Sequence, residues 1–456
     1  MDRKTKKNNN FGKRFYLHTF GCQMNVHDSE KMAGILSEAG MSHSNHFNNA
    51  DVIVLNTCSI REKAEQKFYS ELGRLETVKK NNPKLKIAVA GCIAQQKGDA
   101  LLKRFPYVDF IFGPDNINNL ETWINFSAQD TGERLKKTAL AYNPEYHFME
   151  LPVKREEGVR AWVSIMYGCD NFCAYCIVPY TRGRERSRPA RDIYREVSAL
   201  ASQGYREVTL LGQNVNSYGK NMPENIDFSD LLCMIHEIED MKRIRFVTSH
   251  PRDLSEKLVN TMNKLPKMCN HLHLPLQSGS DKILFQMNRG YSYREYKDKI
   301  MMLRNALPES AITTDIIVGF PGEKEEDFQA TMDALKEMEF DGIFAFKYSP
   351  RPNTSAVDLP GHIDEKAKSR RLSEVLDLQS DITYRKNKKF EGSTVEVLVE
   401  GYSDTDKDKL TGRTGSNKIV NFHGSDNNIG KFVAINITEA KQHSLYGILI
   451  HSFSVS

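Results

Sequence analysis

Three cysteines crowd the middle of the chain: Cys169, Cys173 and Cys176, in the run YGCDNFCAYCIVPYTRGRERSR from Tyr167 to Arg188. A C-x3-C-x2-C triplet on one tight loop suits three corners of a cubic iron–sulfur cluster, which is gripped by thiolates. The loop lacks a fourth cysteine, so one iron would stay open to chelate a small molecule through an amine and a carboxylate. Structural zinc is the ordinary alternative, but it takes four ligands, commonly as two C-x2-C pairs or a Cys/His mixture. A fourth ligand would have to fold in from later in the chain, from His250, His271 or His273. Tyr167, Phe172 and Tyr175 suit a cluster that needs partial shielding from water. The spacing therefore favours the cluster.

Three more cysteines, Cys22, Cys58 and Cys92, are spread through the first hundred residues. Each follows a strand pattern: RFYLHTFG (14–21), DVIVLNT (51–57) and KIAVAG (86–91). Helical patterns over Ser29–Ala39 and Arg61–Lys80 separate them. This β-α-β-α-β order predicts a doubly wound parallel sheet. The cysteines recur at about the length of one βαβ unit. All three sit just past the carboxyl ends of their strands, the edge where open α/β sheets bind ligands. Cysteines serving only as small hydrophobes would lie within strands or helices. The pattern instead points to a second cluster held by three thiolates, again with an open iron.

The elements that must position these groups divide 456 residues into two to four domains. A hydrophobic content of 39% with 27% charged residues describes a soluble globular protein. No apolar run is long enough to span a bilayer. The basic start, MDRKTKKNNN, has no apolar signal segment, so residues 1–13 read as a disordered tail and the chain as cytoplasmic. Eight cysteines in that compartment are poor candidates for disulfides. Cys233, in LLCMIHEI, and Cys269 fit no cluster spacing and read as buried structural thiols. A net charge of +4 is too small to argue for nucleic acid by itself.

The first domain is expected over 14–130, closing with a strand and helix at 109–128, and a linker over 131–154. The central region, 155–385, repeats strands and helices. Strands are predicted at Val159–Met166, Glu207–Leu211, Arg243–Thr248, Leu272–Pro275, Thr313–Gly319 and Gly342–Lys347. Helices fall near Arg191–Gln203, Phe228–Asp240, Asp253–Lys264, Ser292–Leu307 and Lys324–Met338. Six units make an incomplete (β/α)6 barrel with a lateral opening, and the Cys169 loop follows its first strand. From 386 to 454 the pattern turns to short alternating strands (393–400, 418–424, 431–440, 445–450), a small all-β barrel. Lys407, Lys409, Arg413 and Lys418, beside Tyr402, Asn417 and Phe422, mix positive charge with stacking surfaces in a way that suits RNA.

Together these regions resemble the methylthiotransferase family. TFGCQMN, NTCSIREKAEQK and AGCIAQQ are similar to its N-terminal cluster-binding motifs, GCDNFCAYCIVPYTRGRERSR to its radical S-adenosylmethionine (SAM) motif, and the C-terminal barrel to a TRAM module. The resemblance implies two [4Fe-4S] clusters, one on Cys169, Cys173 and Cys176, the other on Cys22, Cys58 and Cys92. It implies methylthiolation at carbon 2 of an N6-prenylated adenosine next to the anticodon of tRNA, with one SAM as methyl donor and one as radical source. SAM contacts would fall on Gln213, Asn214, Ser249, His250, Gln277, Ser278, Asp315 and Gly319. RNA contacts would come from Arg182, Arg184, Arg186, Arg188, Arg413 and Lys418. The expected partners are a tRNA anticodon stem-loop, an electron-donor protein such as a flavodoxin or ferredoxin, and an iron–sulfur carrier. Two alternatives stand beside this: a sibling acting on threonylcarbamoyl-adenosine or on a ribosomal-protein aspartate, and a zinc-stabilised RNA-binding protein without catalysis.

Overall fold

A computed structural model describes residues 12–59, 62–126, 137–143, 151–155 and 158–452. Most of the expected tail and part of the expected linker lie outside these residues. The chain divides into two compact units. The first takes in the described residues up to 155 with Tyr167–Asp170 and Ile177–Arg186. The second takes in residues 158–166, Asn171–Cys176 and the described residues from Ser187 onward.

The first unit is built on a parallel sheet. Its strands are β1 (Arg14–Phe20), β2 (Ser42–His43), β3 (Val52–Thr57), β4 (Lys86–Gly91), β5 (Phe110–Phe112) and β6 (Lys137–Ala139). They lie in the order β2-β1-β3-β4-β5-β6. The run VIVLNT is buried at every position, as expected of a strand covered on both faces. Helices α1 (Gln23–Glu38) and α5 (Leu120–Phe126) cover one face through Met32, Ile35, Leu36 and Trp123 against Phe15, Val52, Val54 and Phe110. Helices α2 (Glu62–Asn81), α3 (Cys92–Lys97) and α4 (Asp99–Arg104) cover the other through Phe68, Leu72, Ile93 and Leu101 against Ile53, Leu55, Ile87 and Val89. A further short helix, α6 (Val178–Arg182), belongs to this unit.

Three details depart from expectation. Helix α1 begins directly after Cys22, not at Ser29. Strand β2 was not foreseen. Residues 137–139, assigned to the linker, form β6 against β5. The segment at 151–155 is equally structured: it crosses α1 so closely that a Cβ on Gly34 would stand 2.2 Å from the Pro152 carbonyl oxygen. Arg155 there pairs with Glu30 at 3.2 Å.

The second unit begins with β7 (Arg160–Ser164); the two-residue strands β8 (Met166–Tyr167) and β9 (Arg186–Ser187) flank the cysteine run in sequence. Helices α7 (Ala190–Ser202), α8 (Phe228–His236), α9 (Glu256–Lys264), α10 (Asp281–Gln286), α11 (Tyr293–Ala306) and α12 (Glu325–Met338) alternate with β10 (Glu207–Leu211), β11 (Arg243–Phe246), β12 (His271–His273), β13 (Ala311–Val318) and β14 (Gly342–Lys347). The pairs among β7 and β10 to β14 are parallel, in ladders β7-β10-β11 and β12-β13-β14 joined by one bridge between Ile244 and Met268. This is the expected open six-stranded barrel. Val208, Leu210, Ile244, Phe246, Leu272, Ile312 and Ile316 face the helices. Strand alternation then sends Glu207, Thr209, Arg243, Arg245, His271, His273, Thr313 and Asp315 into the barrel interior.

A 24-residue helix that the periodicity did not announce, α13 (Glu365–Lys388), closes the core beside β14. Its mean hydropathy is low, and it is fastened by polar groups: Gln379 donates to the Phe340 carbonyl at 2.8 Å and Arg371 pairs with Glu323 at 2.7 Å. Cys233 is exposed, contrary to expectation, because α8 turns Leu231, Leu232 and Ile235 inward and leaves position 233 outside that stripe. Cys269 is buried as expected.

The C-terminal strands β15 (Thr394–Tyr402), β16 (Leu410–Arg413), β17 (Ile419–Phe422), β18 (Phe432–Ala440) and β19 (Leu445–Ser452) close into a barrel, β15-β16-β17-β19-β18. Strand β16 had been hidden in the turn-rich segment GYSDTDKDKL. This barrel meets the amino ends of the core strands through ions. Arg243 pairs with Glu396 at 2.8 Å and donates to the Arg413 carbonyl at 2.8 Å. Arg245 pairs with the fully buried Glu207 at 3.1 Å and also donates to the Thr414 carbonyl. Arg160 and Arg413 both pair with Glu400, at 3.0 and 3.3 Å.

Among the described residues, no helix is long and apolar enough to cross a membrane.

Candidate functional site

In the first unit the strand order reverses at β1, so the crevice beyond β1 and β3 is the topological switch point, where such sheets bind ligands. Cys22 follows β1, Cys58 follows β3, and Cys92 opens α3 after β4. Cys58 and Cys92 are almost fully buried. The turn into Cys92 depends on Gly91, whose φ is +91° and whose missing Cβ would stand 2.4 Å from the Thr57 carbonyl oxygen.

Buried amides brace this crevice. The Cys22 thiol donates to Asn25 Oδ1 at 3.2 Å. Asn25 Nδ2 donates to Asn56 Oδ1 at 3.1 Å and to the Thr57 carbonyl at 2.9 Å, and Asn56 Nδ2 returns a bond to the Asn25 carbonyl at 2.8 Å. Arg182, 4% exposed, pairs with the buried Asp28 at 2.8 Å beside these thiols. The Cys22 thiol is held below its ordinary pKa, first by the hydrogen bond it shares with Cys58 and then, against burial, by the Arg182 guanidinium. Burial pushes the Cys92 thiol up, and Arg182 opposes that. Thiolates are the form that ligates iron, so a buried cation beside Cys22 and Cys92 fits an anionic cluster. Among the described residues no three His, Cys, Asp or Glu side chains converge as they would on one metal ion.

The second unit carries Cys173 and Cys176, while Cys169 is counted with the first unit. Cys176 N–H donates to the Cys173 carbonyl at 2.9 Å, closing a turn. Arg289, 4% exposed, brings Nη1 to 3.2 Å from Cys173 Sγ and 3.3 Å from the Tyr175 hydroxyl, while Nη2 donates to the Pro275 carbonyl at 3.0 Å.

The carboxyl ends of the core strands hold most of the predicted cofactor contacts. Asn214, Ser249, His250, Gln277 and Ser278 are buried. Gln213 Oε1, Asn214 Oδ1, Ser249 Oγ, His250 Nε2 and Gln277 Oε1 have no hydrogen-bond partner among the described residues. Natural proteins seldom leave so many buried polar atoms unmatched, and a polar ligand such as SAM would match them. Two of the turns are strained: Thr248 has φ +69° and Gln277 +75°, conformations rare for side chains with a Cβ. Burial, with Arg289 and Arg252 nearby, drops His250 to a pKa of about 2 and keeps its ring neutral. Asp315 is half-open on β13, and Gly319 N–H donates to Glu323 Oε1 at 2.8 Å. Asn216, two residues past Asn214, also has both amide atoms unmatched and was missed in the sequence. Arg289 was missed too, since nothing local marks it.

Most of the predicted RNA contacts have acidic partners within the chain. Arg182, Arg186 and Arg188 are spent on Asp28, Asp115 and Glu196. Only Arg184 is well exposed, in a pair with Asp170 at 2.7 Å. Arg413 turns inward to Glu400 and Lys418 to Asp341 at 3.3 Å. Phe422 fills the C-terminal barrel core, whereas Tyr402 stays exposed. Alternating basic residues in a sequence do not reveal acidic partners supplied from distant strands.

Three family models match: "Uncharacterized protein family UPF0004" over residues 14–113, the Radical SAM superfamily over 163–335 and the TRAM domain over 388–450. The chain is 54% identical over 439 residues to the tRNA-2-methylthio-N(6)-dimethylallyladenosine synthase of Thermodesulfovibrio yellowstonii, covering 96% of this chain and 99% of the relative. It is 48% identical to the protein of the same name from Carboxydothermus hydrogenoformans, with the same coverage. Among solved structures it shares its fold with the radical S-adenosylmethionine methyltransferase TsrM of Kitasatospora setae (TM-score 0.56, 13% identity, 76% of this chain and 75% of the other).

Proposed function

Because this chain belongs to the tRNA-2-methylthio-N(6)-dimethylallyladenosine synthase family, we propose that it adds a methylthio group to carbon 2 of N6-(dimethylallyl)adenosine next to the anticodon of tRNA. The observation that carries this reading is the pair of cysteine triplets on separate parallel-strand scaffolds, one at a sheet switch point and one in the loop opening the barrel.

Carbon 2 of adenine bears an unreactive C–H bond, and no acid–base side chain can exchange that hydrogen for sulfur. Two [4Fe-4S] clusters with SAM would supply the missing one-electron chemistry and the methylated sulfur. Cys169, Cys173 and Cys176 would hold the cluster that binds SAM, and Cys22, Cys58 and Cys92 would hold the auxiliary one. Arg289 and Arg182 each set a buried positive charge against a thiol of one triplet. Gln213, Asn214, Ser249, His250 and Gln277 would orient SAM with their unmatched polar atoms, and Ser278 and Gly319 would complete its surroundings. Their burial also keeps bulk water from a reactive radical. The RNA is drawn in by Arg184 and by the exposed Lys407 and Tyr402 of the C-terminal barrel.

The working division is 14–130 for the auxiliary-cluster domain, 155–385 for the radical core and 386–454 for the RNA-binding barrel. Electrons come from a flavodoxin or ferredoxin, clusters from an iron–sulfur carrier, and the enzyme works in the cytoplasm.

The test compares Cys22→Ala and Cys173→Ala after anaerobic purification. Wild-type protein should hold about eight irons and each variant about four. Cys22→Ala should still release 5′-deoxyadenosine but form no methylthio product, whereas Cys173→Ala should do neither. Methylthiolation by Cys22→Ala would overturn the assignment of two clusters.

A further inference from the structure

The barrel interior holds a polar wall in which Asp315, expected from the sequence to touch SAM, is instead paired with His273. His273 on β12, Asp315 on β13 and Phe344 on β14 project from three neighbouring strands into the same space. Asp315 and Phe344 are register partners, so their side chains leave the sheet on one face. Ile312, Ile316 and Val318 on β13 are committed to the helices outside, which fixes that face as the inner one. His273 ties the wall together: Nε2 lies 3.4 Å from Asp315 Oδ1, Nδ1 lies 3.0 Å from Thr313 Oγ1, and its ring meets that of Phe344 edge-on at 5.8 Å.

Two properties set this wall apart. Phe344 is 51% exposed although it sits mid-strand inside a barrel, where a phenyl ring is normally covered. Asp315 keeps a partly open carboxylate beside it. A flat aromatic face next to a hydrogen-bond acceptor is complementary to a nucleobase with an exocyclic N–H. Adenine substituted once at N6 still presents one such N–H, and its ring stacks on an aromatic side chain. Strand β14 is also the last of the core strands, so this wall borders the lateral opening through which a large substrate would enter.

We infer that His273, Asp315 and Phe344 form the cradle for the target adenine, with Phe344 stacking on the base, Asp315 accepting from N6–H and His273 positioning Asp315. This rests on the proposed reaction and names the residues that select its base.

The experiment measures affinity of the reconstituted enzyme for three synthetic anticodon stem-loops, carrying N6-dimethylallyladenosine, its N6-methylated analogue without an N6–H, and plain adenosine. Affinity for SAM and uncoupled 5′-deoxyadenosine release are followed alongside. Wild-type enzyme should bind the first stem-loop at least about tenfold more tightly than the N6-methylated one, because a site built to bond an N–H rejects its absence. Asp315→Ala should erase that preference, and Asp315→Asn, which keeps an acceptor oxygen, should restore most of it. Phe344→Ala should weaken all three RNAs by roughly 5- to 100-fold, the worth of one base stack, and Phe344→Tyr should rescue them. SAM affinity and uncoupled cleavage should hold in both Phe344 variants. Equal binding of the first two stem-loops by wild-type enzyme would overturn the cradle, as would loss of SAM affinity with RNA binding intact. Binding with the predicted preference but no methylthio product would instead sink the proposed reaction and leave the cradle standing.

Discussion

Arg289 holds its guanidinium 3.2 Å from the sulfur of Cys173 while sitting almost wholly out of solvent. It reaches this position from the turn after α10, over a hundred residues away in sequence, and is anchored by the Pro275 carbonyl and the Tyr291 hydroxyl. A buried cation at this distance stabilises a thiolate and any anionic group the thiolate holds.

Arg289→Leu should therefore impair the radical half of the reaction. Hydrogen bonds to charged groups are worth about 1.5–3 kcal/mol, so SAM cleavage should fall roughly tenfold or more. Release of 5′-deoxyadenosine under dithionite is the readout, with circular dichroism confirming an intact fold.

Asp28 and Arg182 make the corresponding pair in the first unit. Asp28→Asn strands the Arg182 charge in a buried site and should cost about 3–5 kcal/mol. Urea unfolding of the apoprotein should reveal the loss. The double variant Asp28→Asn with Arg182→Met should recover much of it, because the uncompensated charge is then gone.

Stability should fall on mild acidification. Burial holds His250 at a pKa of about 2, with Arg289, Arg252 and Lys220 adding to it. Burial likewise drives His271 well below its ordinary value, with Arg245, His273, Lys418 and Arg413 adding positive charge. Both rings stay neutral in the fold but take up a proton near pH 6.5 once the chain unfolds. The unfolded state then binds more protons, so each ring removes up to about 1.4 kcal/mol per pH unit below 6.5. Urea midpoints at pH 7.0 and 5.5 should differ accordingly, and His271→Asn should flatten the difference.

Glu207 and Arg245 seal the amino end of the core. Glu207→Gln should destabilise by about 3 kcal/mol or more, since Arg245 would lose its buried counter-charge. The melting temperature of the protein is the measure.

Much of this was legible from residues alone, for identifiable reasons. Continuous apolar runs such as VIVL, each ending at a cysteine, mark strands covered on both faces and the edge where ligands bind. The barrel helices declared themselves through a 3.6-residue period. What escaped detection lacked local signal. Helix α13 carries charge around most of its circumference and is recognised only by its partners, Glu323 and the Phe340 carbonyl. Strand β16, LTGR, is too short and too polar to read as a strand. The arginines after Cys176 looked like a docking surface for phosphate because Asp28, Asp115 and Glu196, which neutralise three of them, are far off or inconspicuous in sequence. Arg289 and Phe344 were invisible for the same reason: their importance lies in what faces them.

The ionic floor between the core and the C-terminal barrel makes that barrel a plug rather than an appendage. Arg243 and Arg245 are satisfied by Glu396 and by carbonyls at 413–415, so removing the barrel would uncap charges at the base of the reaction chamber. Grafting a homologous module from another enzyme should succeed only when the donor brings two acidic residues, in place of Glu396 and Glu400, and three carbonyls to the same stations. Interchangeability of this piece across relatives is thus governed by electrostatic fit at the join, independently of how well the donor grips RNA.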